Sequence, residues 1–419
     1  MKSSQTKKRD KYIDVIVFGI LFAIAAAVTF VLFYRQTYGS PETGYHSDMK
    51  AYILEMQGLD SGYSFPYPIF FKLAASIHLF TGPQLAVALA TCLLNSLAIV
   101  VTKLELNRLT RQNLADAMPK CSWLAGVLIS ICTVLLFFVS MLFPPTGIYL
   151  PGIKFNYAGV FSPNPFHNAT YMAARPFAVL AFFQYARLLD CYEEGYGGAW
   201  KADKGVGMRD YLLFSLYLLL ATMTKPSFTI VLVGAAGLIM VYRMIRKKFR
   251  NFLPTVWLGL CFVPTFVDLL YQFKGVFVPE EGAEGGIGFC FGEIWRLYCD
   301  NIPLALALAA GFPMLVLVLN FKELKGNTVY RFSWQIYLMG FAMAFLLYEK
   351  GFRKPDFNFS WGYMYGVFFA FIGALVVLLQ ATARRKKPWL LAAQWAAFAW
   401  HVLCGLYYFG GIFQGRMYY

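Results

Sequence analysis

The 419-residue sequence predicts an all-α, polytopic transmembrane protein built as one integral membrane domain, 1–419, and three observations carry that reading. Hydrophobic residues make up 59% of the chain and charged residues 14%, well below the roughly 25% charged of ordinary soluble domains. Several apolar runs reach the ~20 residues that a membrane-spanning helix needs. The Lys and Arg residues fall in short clusters between those runs, the distribution that the positive-inside rule produces, so the formal charge of +15 does not point to nucleic acid. The eight cysteines form no CxxC and stand at no Cys/His ligand spacing, which leaves zinc and thioredoxin-like chemistry without support. Cys290 and Cys299 share one external loop and either pair in an oxidising compartment or remain thiols.

Taken in order, apolar length and helical period place eleven crossings at about 12–34, 83–103, 122–142, 170–190, 209–223, 226–245, 252–272, 302–320, 332–348, 361–381 and 389–409. The first run follows KKRDK, exceeds a signal-peptide core and lacks a small-residue cleavage site before Arg35, so it reads as a retained helix. With a cytoplasmic amino terminus, the inside segments hold 25 of the 37 Lys and Arg residues. That bias orients the chain in a cell membrane with its carboxy terminus extracytoplasmic. Between Pro66 and Phe80, apolar Ile69, Phe70, Leu73, Ile77 and Phe80 recur at helical spacing while Lys72 and Ser76 share another face. The segment reads as a helix lying in the outer interface, or as a re-entrant hairpin packed in protein. Asp210 to Met223 is short for a ~30 Å hydrocarbon layer, and Thr224, Lys225 and Pro226 break the run. One long kinked helix there would reverse every later loop, against the basic cluster at 243–250. The longest non-spanning stretches, 35–82, 143–169, 191–208 and 273–301, are where function is expected.

Four places concentrate polar groups on the external side. The first, 45–82, carries His46, Asp48, Asp60 and Lys72. Asp48 follows Ser47 at a helix start signal, so it reads as a cap for 49–57, an ion-pair partner of Lys50 or a reactive carboxylate. The surroundings of Asp60, D-S-G-Y, fit a turn. The second, SPNPFHNATYMAARPF at 162–177, carries His167, Asn168 and Arg175; an arginine inside an apolar helix start needs a phosphate-like partner, a buried acid such as Asp268, or snorkelling. Asn168-Ala-Thr170 and Asn358-Phe-Ser360 also match the N-glycosylation sequon. The third is Lys225 at the helix break, which reaches an anionic head group or snorkels. The fourth, YEKGFRKPDFNFSWGY at 348–363, interleaves Glu349, Arg353, Asp356 and Asn358 with aromatic residues including Trp361 and suits a saccharide or lipid-phosphate contact or an interfacial aromatic belt. No metal site is assigned and no cofactor is implied. Glu280, Glu281 and Glu284 in a glycine-rich loop can hold a divalent cation, but an irregular solvated loop explains them as well.

A basic amino terminus, one span, an external S-D-x-x-x-Y (Ser47, Asp48, Tyr52), a Pro-rich Y-P (Pro66, Tyr67, Pro68) and an interfacial helix ending in Leu79 to Gly82 resemble the GT-C glycosyltransferases. LLATMTKPSF at 219–228 is similar to the L-T-K-x-P turn between short helices in the aminoarabinose and mannosyl transferases of that superfamily. The resemblance covers roughly 1–250, with 251–419 supplying additional helices. It implies transfer of a sugar from a polyprenyl-phosphate donor to a glycan, lipid or protein acceptor of the cell envelope, with inversion at the anomeric carbon. It also implies that Asp48 acts as the base; Arg175, Lys225 and Arg353, read from their own placement, are the cations expected near the phosphate. Two other classes stand beside it: a transporter or flippase of a lipid-linked or polar solute, and a polysaccharide polymerase or ligase. No G-x-S-x-G, H-E-x-x-H or phosphate-cradling glycine loop supports hydrolase or NTPase chemistry.

Overall fold

The computed structural model describes residues 2–40, 43–142, 162–194, 206–277, 285–384 and 387–416. Among them the chain is almost wholly helical. The amino-terminal half contains α1 (Lys2–Gln36), α2 (Met49–Met56), α3 (Pro68–His78), α4 (Pro83–Ala117), α5 (Trp123–Leu136), α6 (Ala169–Cys191), α7 (Met208–Thr224) and α8 (Ser227–Arg246). The remainder contains α9 (Phe252–Leu260), α10 (Val263–Phe277), α11 (Glu293–Tyr298), α12 (Ile302–Leu319), α13 (Glu323–Gly326), α14 (Thr328–Leu346), α15 (Ser360–Ala383) and α16 (Pro388–Phe413). Each of the eleven predicted segments contains helix. Six helices, α1, α4, α8, α12, α15 and α16, are long and apolar enough to cross a membrane, and α9 with α10 makes a seventh if that pair, bent by 48°, is one span. Large apolar side chains such as Ile16, Ile20, Ile24, Leu238 and Val241 stand exposed on the outside, as expected where hydrocarbon is the solvent.

The centre of the bundle is α15, whose side chains are buried on nearly every face, and which packs against α14, α12, α4 and α8. Its glycines allow the closest approach. A Cβ on Gly366 would lie 2.8 Å from Tyr337 Cα, and one on Gly340 of α14 would lie 2.8 Å from the Gly362 carbonyl oxygen. Small residues at such a crossing let two backbones meet, the usual way apolar helices associate without a hydrophobic driving force between them.

Three predicted boundaries are corrected. The helices predicted at 12–34 and 83–103 extend to Lys2–Gln36 and Pro83–Ala117, so Lys103 is no loop cation. Its ammonium is buried, 2.9 Å from Asp14 Oδ1 and 3.0 Å from the Gly126 carbonyl, while Arg111 pairs with Asp14 Oδ2 at 3.0 Å. Paired in this way, charge is tolerated inside the bundle and the helix need not stop. The helix predicted at 122–142 ends at Leu136. The reason lies in α12, which kinks at Ala310 ahead of Pro313 and so releases backbone groups from its ladder. Leu142 N–H donates to the Leu308 carbonyl (2.9 Å), and Ser140 N–H to that of His401 (3.3 Å). His401 lies close to Ser140 O through Nδ1 (2.6 Å) and accepts at Nε2 from Phe312 N–H (3.1 Å). Irregular backbone inside an apolar bundle is kept because other protein groups satisfy it.

At the far end of α14 the chain forms β2 (Leu347–Glu349), which pairs antiparallel with β1 (Ile287–Phe289), Gly288 opposite Tyr348. Cys290 N–H and Gly292 N–H bond the last carbonyls of α14, those of Leu346 and Phe345. This clip fixes Glu349 at the mouth of the bundle. Cys290 and Cys299 are both free thiols.

Candidate active site

Asp48 precedes α2 but does not cap it through its side chain, and no ion pair joins it to Lys50 among the described residues. Its carboxylate turns inward instead. Oδ2 accepts from Asn168 Nδ2 (2.7 Å) and from the Tyr52 hydroxyl (3.2 Å), whereas Oδ1 receives no hydrogen bond among the described residues. Tyr52 reaches Asp48 because residues four apart share one helix face. The Asp48 N–H donates to the His167 carbonyl at 3.2 Å, which ties the loop before α2 to the start of α6.

Asn168 is the hub. It caps α6, with Oδ1 accepting from Tyr171 N–H (2.9 Å), from the Thr170 hydroxyl (3.0 Å) and from Lys225 Nζ (3.3 Å). Lys225 lies where α7 ends and α8 begins; Pro226 cannot continue the helix, and Lys225 is extended at φ −166°. Its ammonium also donates to Thr170 Oγ1 (3.2 Å) and stands 4.9 Å from the centre of the Trp361 ring. Three sequence-distant segments thus converge on one chain of polar groups, Asp48 to Asn168 to Lys225, backed by Tyr52 and Thr170.

A second cluster meets it from the α14–α15 connection. Glu349 accepts from Asn358 Nδ2 (2.8 Å) and pairs with Arg353 (3.4 Å), Arg353 also pairs with Asp356 (3.3 Å), and Trp361 Nε1 donates to Asn358 Oδ1 (3.2 Å). Lys225, Glu349, Arg353, Asn358, Trp361 and Tyr67 line a cavity of about 360 Å³. Ile230, Val231, Leu269, Phe273, Met343 and Leu347 supply apolar lining, with Gln272 among them. Asp48 does not line this cavity; it lies behind Lys225 and Asn168.

Burial shapes the protonation of these groups. Desolvation raises the Asp48 pKa above the ordinary carboxylate value, opposed by the positive charge of Lys225 and by the hydrogen bonds from Tyr52 and Asn168. Lys225 is pushed down to about 8 by burial, with Asp48 pulling the other way. Burial, and then the charges of Lys225 and His46, push His167 down to about 3, so its ring is neutral. Desolvation also raises the phenols of Tyr52 and Tyr67, so both stay neutral.

The predicted site residues divide accordingly. Asp48, Asn168, Lys225, Glu349, Arg353, Asn358 and Trp361 come together, and neutral His167 packs on Trp361 with ring centres 5.5 Å apart. His46 is exposed at the edge, within electrostatic range of Asp48. Three residues do not join them. Asp60 closes a turn by accepting from Gly62 N–H (2.8 Å), and Lys72 belongs to a separate depression with Glu55 and Tyr271. Arg175, expected at a phosphate, is fully buried behind Tyr171. There it donates to the Pro163 carbonyl (2.8 Å) and lies over Phe137, Tyr171 and Phe368; Asp268 instead bonds Gln272. Aromatic faces compensate this cation where a carboxylate or phosphate was anticipated. Asn168 is buried and fully engaged, so its sequon is closed in the folded chain. Glu280, Glu281 and Glu284 lie outside the described residues, and among the described residues no cluster of His, Cys, Asp and Glu suits a metal.

Sequence reasoning left out Tyr52, Tyr67 and Thr170 as site members. The i, i+4 spacing of Asp48 and Tyr52 was available as a signal, whereas the contacts of Tyr67 and Thr170 with Lys225 depend on tertiary packing. No protein-family model, no curated protein and no solved structure matches this chain.

Proposed function

We propose that this is a membrane glycosyltransferase of the GT-C type, using a polyprenyl-phosphate sugar on the extracytoplasmic face. The observation that carries the reading is a cavity whose lining is divided between charged side chains, Lys225, Arg353 and Glu349, and a set of aliphatic ones. A lipid phosphate has this same division. Lys225 and Arg353 are the groups to hold the phosphate, Ile230, Val231, Leu269 and Phe273 the first isoprene units, and Trp361 an aromatic face against the sugar.

Asp48 stands on the other side of Lys225, half-buried, with no hydrogen bond to Oδ1 among the described residues and exposed His46 beside it. An acceptor hydroxyl at Oδ1 would give up its proton as its oxygen bonds to the anomeric carbon, and the anomeric carbon–phosphate oxygen bond would break. The polyprenyl phosphate leaves with that electron pair, stabilised by Lys225. One displacement inverts the anomeric centre. This orientation puts the amino terminus in the cytoplasm and the site outside, with eleven helices, several short or polar, crossing or entering the membrane.

The test is sugar transfer from a panel of short-chain polyprenyl-phosphate sugars by purified protein in nanodiscs, beside Asp48→Asn. Donor-dependent turnover lost in the variant supports the reading. Donor binding without turnover in the wild type, or substrate movement in sealed vesicles instead, supports transport.

A further inference from the structure

The helices that flank the candidate site carry a second cavity at their opposite ends. The groove between α8 and α14 begins at the site with Ile230, Val231, Met343 and Leu347, and Gly234 separates its two ends, with Met339 and Met343 packed where a Cβ would stand. Beyond it lies a cleft of about 1100 Å³ between the last turns of α8, the end of α6, α13 and the start of α14. Its rim holds Arg243, Arg246, Lys247, Lys325 and Arg331 against Asp190 and Glu193 only.

The acids are already in use. Glu193 accepts from Asn251 (3.1 Å) and pairs with Lys247 (3.0 Å) and Arg243 (3.9 Å), and Asp190 accepts from the Thr328 hydroxyl. Arg331 is held by the Leu324 and Lys325 carbonyls (3.1 and 3.2 Å), and Arg243 donates to that of Leu189 (2.7 Å). Arg246 and Lys325 have no acid partner among the described residues, so the rim keeps an excess of three positive charges. Below the rim the walls are Leu238, Ile239, Leu338 and Met339; Leu238 is 65% exposed and Leu338 58%, with Tyr242 at 62% where the cleft opens sideways.

We infer that this cleft binds an anionic phospholipid, its phosphate on Arg246 and Lys325 and one acyl chain along Leu238 and Leu338. A fixed cationic rim selects the head group through charge, while exposed apolar walls facing the bilayer accept a chain that a soluble anion lacks. This site is distinct from the cavity at Lys225 and does not depend on the reaction proposed there.

The experiment is native mass spectrometry of the purified protein with equimolar phosphatidylglycerol and phosphatidylcholine of identical chains. Preferential retention of phosphatidylglycerol, falling roughly tenfold in Arg246→Gln/Lys325→Gln and partway in Lys325→Gln alone, is expected. Lys325 lies exposed on α13, so its single variant tests the site without loading the core. Equal retention of both lipids, retention unchanged in folded variants, or displacement by millimolar inorganic phosphate would overturn the assignment, the last identifying a soluble-anion site.

Discussion

Asn168 has only one side-chain amide, and its two ends face opposite charges: the NH₂ donates to Asp48 while the oxygen accepts from Lys225. Carboxylate and ammonium are thereby held near each other without direct contact. Asp48→Asn is expected to lower transfer by about 10²- to 10⁴-fold with the thermal midpoint nearly unchanged, measured as turnover beside a melting curve. The pH dependence follows from the signs. The raised Asp48 pKa means the proton is retained above the ordinary carboxylate range, so activity rises as it is lost; Lys225, lowered to about 8, loses its charge above that pH and activity falls. A bell-shaped kcat/KM profile is expected, and Lys225→Arg should move its alkaline limb upward; a profile with no fall between pH 7 and 9 would contradict the Lys225 assignment.

Among helices, the crossing of α14 and α15 and the latch around His401 set what can change. At Gly366 any side chain meets the Tyr337 backbone, so Gly366→Leu should destabilise by about 1–3 kcal/mol or more. Gly237, in the exposed part of α8, has nothing within 4 Å of a Cβ, and Gly237→Ala should be neutral or stabilise by up to ~1 kcal/mol. Melting of both variants in one detergent distinguishes a packing constraint from general sensitivity of glycines. His401→Leu would leave Phe312 N–H buried without its acceptor, a loss of about 1–3 kcal/mol readable in the same assay.

Across the whole molecule, the charge bias predicts an orientation of the bundle, and Cys121 can report on it. This thiol, between α4 and α5, is the one exposed cysteine among the described residues. With the amino terminus inside, a membrane-impermeant maleimide should label Cys121 in inverted vesicles and leave it unlabelled in intact cells. Labelling of intact cells would invert the topology, and with it the side on which the candidate site faces.

The helices themselves were legible in the sequence, because apolar length, helical period and breakers such as Thr224-Lys225-Pro226 are local properties that water and hydrocarbon read in the same way. Lys225 was legible for that reason, and Asp48 through its neighbours in the S-D-x-x-x-Y pattern. Local sequence did not show that α5 would stop at Leu136, since the partners that release it, the α12 kink and His401, lie more than 160 residues further along the chain. Nor did it show the fate of Arg175. A cation near a boundary has several possible partners, and only packing decided that three aromatic rings and the Pro163 carbonyl surround it. The sequence alone determined an all-helical chain of membrane type and which short segments carry polar chemistry. Tertiary structure decided which of those segments meet, because bringing residues 48, 168, 225 and 361 within a few ångströms is a property of helix packing, which no local pattern encodes.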